Sequence, residues 1–136
     1  MVLEAAVVRP GETRSRVALS EPALDLLRRL WRRHGPLMFH QSGGCCDGSS
    51  PMCYPAGEFV TSAADVLLGT FDIALDGEAT RAVDFWMSAE QFPYWSHTRL
   101  TVDVVPGRGS GFSVEAPDGV RFLIRSDLMA DAEPFA

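Results

Sequence analysis

The 136-residue chain contains no lysine: each of its twelve basic residues is an arginine. Schiff-base catalysis by a lysine amine is therefore excluded. No apolar run approaches 18 residues, so no segment reads as a membrane span. A formal charge of -6 leaves no basic excess for phosphate binding, and nucleic acid is not expected as a partner. The charge is uneven: residues 1–40 carry seven arginines against four acids, residues 41–136 five against fourteen. The opening MVLEAAVVRPGETRSR has an acid at Glu4 and too short an apolar stretch for a signal peptide, which points to the cytoplasm and to reduced thiols. Cysteine is scarce, with three in all and no CxxC pair. In a reducing compartment three cysteines read as a site rather than a disulfide scaffold.

All three lie in one stretch of fourteen residues, 40–53, reading HQSGGCCDGSSPMC. His40 stands at its entrance, Cys45, Cys46 and Cys53 follow, and Asp47, Gly43, Gly44 and Gly48 complete it. Such a segment cannot be a regular strand or helix, yet it concentrates soft ligands and backbone donors. Cys45, Cys46, Cys53 and His40 form a candidate ligand set for iron, zinc or an iron-sulfur cluster, with backbone N–H groups of Gly43 and Gly44 facing the sulfur. The same residues support a thiol chemistry in which Cys45 is the nucleophile and His40 or Asp47 assists. A third reading has the cysteines merely packing, and a Cys46–Cys53 disulfide stays open. Asp47 before Gly48 also suits a turn. His97, beside Tyr94 and Trp95, reads as structural, and GRGSG at 107–111 lacks the lysine and the setting of a phosphate loop.

The rest of the chain reads as one domain, 1–136, with a core over about 4–127 and a frayed tail. Residues 1–16 suggest an edge strand and a turn at Pro10–Gly11. Ser20 caps the clearest helix, with Glu21 and Pro22 in its first turn; Ala23, Leu24, Leu27, Leu30 and Trp31 form its apolar face, and Gly35 and Pro36 end it. Its arginines 28, 29, 32 and 33 read as a solvated, dipole-matched end. Leu37, Met38 and Phe39 predict a buried strand that delivers His40. Tyr54 to Gly57 reads as a turn, 58–60 as a brief strand, 65–72 as a strand with a bulge at Gly69, 76–81 as a turn and 82–87 as a strand. Ser88 is expected to cap one helical turn that Pro93 ends. Leu100, Val102 and Val104 give the strongest strand signal; 106–111 is a turn, and 112–115 and 120–125 are expected to form a hairpin through Pro117, Asp118 and Gly119.

The segments FHQSGGCCDGSSPMCYP, EQFPYWSHT, TVDVVPGRGSGFSVEAPDG and RFLIRS closely resemble the bacterial domain-of-unknown-function family 779, over about residues 18–127. Genes of that family often neighbour aldehyde dehydrogenase genes, so the resemblance implies an accessory role in aldehyde or alcohol metabolism with an aldehyde dehydrogenase as partner. More distantly, a helix, a strand, a glycine-glycine-cysteine turn and the later GFSVEAP turn are similar to A-type iron-sulfur carriers of the HesB type. On that likeness Cys45 takes the place of the carriers' first cysteine, while their two C-terminal cysteines have no counterpart after Cys53. The expected fold is α+β: a single β-rich domain, a mixed sheet or squashed barrel of HesB-like form, with an N-terminal helix packed on it. The expected function is a cytoplasmic accessory protein that binds a metal ion or iron-sulfur cluster. The alternatives are a thiol-dependent enzyme or redox protein and a non-catalytic interaction domain; homo-oligomerisation stays open.

Overall fold

A computed structural model describes residues 2–8, 11–41, 49–58, 61–75, 80–96, 98–107 and 113–128. Among these described residues, eight strands and two α-helices follow in the order β1 (Val2–Glu4), β2 (Val17–Ser20), α1 (Glu21–His34), β3 (Leu37–Gln41), β4 (Met52–Pro55), β5 (Asp65–Ala74), β6 (Thr80–Ser88), α2 (Phe92–Trp95), β7 (Thr98–Pro106) and β8 (Val120–Leu128).

Local chemistry sets α1. Ser20 is extended and its hydroxyl accepts the Ala23 N–H at 3.2 Å, Pro22 occupies the first turn, and Gly35 leaves the helix at φ 79° while its N–H bonds the Trp31 carbonyl. Ala23, Leu26, Leu27 and Leu30 are buried, whereas Leu24 and Trp31 lie at the margin of the core. Leu26 thus belongs to the buried face beside the residues the periodicity picks out.

The strands form two mixed four-stranded sheets, ordered β1-β2-β7-β8 and β4-β3-β6-β5. One parallel pair lies in each, β2 with β7 and β3 with β6. Their inner faces meet at Phe39 of β3, whose ring packs on Phe71 (β5), Phe85 (β6) and Phe122 (β8) at centroid distances of 6.4, 5.6 and 4.9 Å. At one margin the Ala6 N–H bonds the Thr70 carbonyl at 2.8 Å and joins the sheets. There Gly69 marks a register shift in β5; a Cβ on it would come within 2.7 Å of the Ala5 Cβ, so only glycine admits this approach. At the other margin the Ile124 N–H of β8 bonds the Ser49 carbonyl, and the Cys53 N–H and C=O of β4 bond the Ser113 hydroxyl and the Val114 N–H. Closure at both margins gives the expected squashed barrel.

Several elements differ from the sequence reading. β2 and β4 run through VALS and MCYP, too short and too near the helix and the cysteine stretch to show alternation. Tyr54 and Pro55 lie in β4, an edge strand that tolerates proline, with the turn only beyond them; Glu58 is in that turn. Pro93 lies in the first turn of α2 and does not end it, although Ser88 does bond the Gln91 N–H. Residues 113–115 are not a hairpin arm: they turn into a short 3-10 helix, Ala116–Asp118, and β8 pairs with β7 from Pro106↔Val120 to Thr98↔Leu128. The cause is Glu115. Its carboxylate turns inward, accepts from the Ser113 hydroxyl and from the Phe122 N–H, and burial pushes its pKa up.

Leu27 is fully buried while Arg29 is exposed. Leu27→Ala is expected to cost about 2 to 5 kcal/mol, a cavity in a packed core, and Arg29→Ala within roughly 0.5 kcal/mol. Chemical denaturation giving equal losses would reverse the assigned helix face.

Candidate functional site

Alternation along β3 sorts the candidate residues. Phe39 pairs with Cys53 and Phe85 on the core side; His40 pairs with Met52 and Trp86 on the other. All five residues of β3 are buried, so His40 is withdrawn from water although it faces away from the core.

His40 finds a partner there. Its Nε2 lies 2.6 Å from the Asp65 Oδ1, with side-chain exposures of 3% and 10%. Asp65 is fixed in turn: its Oδ2 accepts the Ser62 N–H at 2.9 Å, its N–H bonds the Ser62 carbonyl, and Ala89 N–H holds the Ala64 carbonyl at 2.7 Å. The bond from His40, aided by the Ser62 N–H, holds the Asp65 carboxyl below the usual carboxylate range against the opposing effect of burial. An ionised carboxylate only accepts, so Nε2 carries a proton and donates it to Asp65.

Cys53 has a different fate. It is fully buried among the core side chains with a free thiol, and burial, with the charge of Glu115 adding, pushes that thiol well up. A thiol so placed behaves as a small hydrophobe. His40 and Cys53, two of the four expected ligands, are not brought together: they point to opposite faces of one sheet. Among the described residues no three His, Cys, Asp or Glu side chains are grouped to hold a metal ion. Cys45, Cys46, Asp47, Gly43 and Gly44 lie outside the described residues, as does His97. The stretch that carries them leaves β3 at Gln41 and rejoins the described chain at Ser49, whose carbonyl bonds β8; Arg121 Nη1 bonds the next hydroxyl, Ser50 Oγ, at 2.6 Å.

Sequence reasoning missed Asp65, which reads as an ordinary strand start. Its one local signal is the Ser62-Ala63-Ala64-Asp65 spacing, in which serine and aspartate satisfy each other's backbone.

The span from within α1 to the end of β8 therefore contains both members of the dyad and the whole cysteine stretch. Residues 26–128 match the family described as Domain of unknown function (DUF779). The chain belongs to that family. The DUF779 match thus covers His40, Asp65 and all three cysteines. No curated protein and no solved structure matches the chain, so the likeness to HesB-type carriers gains no support from either.

Because the native Asp65 carboxyl lies below its unfolded value of about 3.9, its contribution to stability is complete above that pH and is lost as pH falls through the native value. Denaturant melts of wild type and Asp65→Asn between pH 5 and pH 2 should converge as pH falls. A stability gap that stays constant across that range would show that the carboxyl is not depressed.

Proposed function

We propose that this DUF779 protein carries out thiol-dependent chemistry, with His40 as the base and Asp65 as the group that orients it. The supporting observation is the buried His40–Asp65 bond, located at the strand end from which the cysteine stretch departs. Burial of Cys53 leaves Cys45 and Cys46 as the thiols for this role, and Cys45, five residues after His40, is the first candidate.

In this reading Nδ1 of His40 takes the thiol proton, and the Asp65 carboxylate stabilises the imidazolium so formed. The thiolate then adds to an electrophilic carbon. For an aldehyde, the class implied by the family resemblance, the new S–C bond forms as the carbonyl π pair moves to oxygen, and that oxygen takes the proton from His40. The product is a hemithioacetal. No oxidant is consumed, and the aldehyde is held for an aldehyde-oxidising partner.

A second reading rests on the same bond, since a histidine that ligates a metal commonly donates its other N–H to a carboxylate. His40, Cys45 and Cys46 would then hold zinc or iron, with Gly43 and Gly44 offering backbone N–H groups to the sulfurs. Cys53 has no part in that set. A metal held there supplies a Lewis acid to the same face.

Alkylation at neutral pH, mapped by peptide mass with and without chelator, separates the two. For the thiol reading, one of Cys45 and Cys46 reacts fast in metal-free protein, and His40→Ala and Asp65→Asn each slow it on the order of 10²-fold, the usual range for a positioned base. Cys53 reacts only on unfolding. For the metal reading, anaerobically purified protein carries near-stoichiometric zinc or iron, the metal blocks both thiols, and the chelated protein shows ordinary rates. Slow thiols throughout, in protein without metal, overturn both and favour an interaction domain.

A further inference from the structure

Along a half-exposed sheet face, outward positions are ordinarily polar. The outward face beside His40 departs from that rule. By register His40 is flanked by Met52 on β4 and Trp86 on β6, and Trp86 is flanked in turn by Leu67 on β5. All three side chains are only half-buried, and none belongs to the hydrophobic core, which takes Phe85 and Met87 from the other side of β6. They are therefore not there to fill the barrel. The charges that the described strands place on the same face are of one sign, with Arg28 of α1 reaching only its far end, at the Ala74 carbonyl. Asp84, Asp72 and Asp65 share it, while Arg81, the one arginine in these four strands, pairs with Ile73 and so lies on the opposite face.

We infer that Met52, Trp86 and Leu67 form the recognition surface for the electrophile, and that it takes a neutral compound bearing an apolar, alkyl or aryl, substituent. The inference rests on the thiol reading above. An aryl or alkyl group laid on Trp86 and Met52 leaves water at a tryptophan face and a thioether, two surfaces that adapt to varied apolar shapes. An anionic substituent meets carboxylates on a face where the described strands place no arginine, and is disfavoured by like charge. Trp86 and Met52 thus determine specificity, while His40 and Asp65 govern the reactivity of the sulfur.

The test compares reagents that share a warhead. N-benzylmaleimide is compared with N-methylmaleimide, and iodoacetamide with iodoacetate, each rate ratio being divided by that of the urea-denatured chain. Folded wild type should favour the benzyl reagent by roughly tenfold or more, the scale of discrimination that one apolar contact surface supplies, and should favour the amide over the carboxylate. Trp86→Ala and Met52→Ala should lower the benzyl rate far more than the methyl rate, and Trp86→Phe should restore part of the difference. The inference is overturned if the loop thiol is fast but both ratios equal those of the denatured chain, or if Trp86→Ala slows both maleimides alike. A different result marks failure of the underlying thiol reading: no maleimide reacts faster with the folded than with the denatured chain, and His40→Ala changes nothing.

Discussion

Phe39 touches phenylalanine rings from three other strands, and through them it locks the register of β3 between β4 and β6. A slip of one residue would bring His40 into the barrel and push Phe39 out, exchanging a ring cluster for a buried imidazole without its carboxylate. The position of His40 is thus determined by its neighbour. Because the contact is shared between the two sheets, the same packing fixes where β8 lies, and with it the anchorage of Ser49 at the far end of the cysteine stretch. The placement of the His40–Asp65 pair and the packing of the core are in this sense one problem, solved on opposite faces of one strand.

Legibility in the sequence followed the range of the interactions. Ser20, Pro22 and Gly35 define α1 within a few residues of themselves, and the alternation of Leu100, Val102 and Val104 and the lone Gly69 also speak locally. Elements that owe their form to distant partners were not visible. β2 exists because β7, some eighty residues later, pairs with it, and 113–115 abandons strand geometry because Glu115 finds the Phe122 N–H and Ser113 finds Cys53. The candidate site divides the same way. His40 was legible from its place before the glycines, whereas Asp65 was not, since its role is set by a bond across an intervening strand. Cys53 belongs to the cysteine stretch in sequence but to the core in space, and only its pairing with Phe39 tells the two apart.

The arginines show how a chain without lysine ties its layers. Arg28 reaches the Ala74 carbonyl at 2.8 Å as well as Asp25, Arg33 meets Asp118 at 3.0 Å, and Arg125 meets Asp103, which also receives the hydroxyl of the cap Ser20. Exposed pairs of this kind contribute little each. Their geometry matters more: the planar guanidinium of Arg28 bonds Asp25 of its own helix and the Ala74 carbonyl at once and so ties α1 to β5, while Arg33 ties the other end of α1 to the 3-10 helix.

The hook at 113–118 has a further consequence, for the company the protein keeps. An edge strand offers its outward N–H and C=O groups to any passing strand, and β4 is such an edge. At Cys53 both groups are already taken, by the Ser113 hydroxyl and the Val114 N–H, and on β8 the Phe122 and Ile124 N–H groups are taken by Glu115 and Ser49. The chain has in effect plugged this seam with its own side chains and loop backbone. At this seam the chain thereby withholds the template on which another strand would add, and does so with two polar residues turned inward instead of charges turned out.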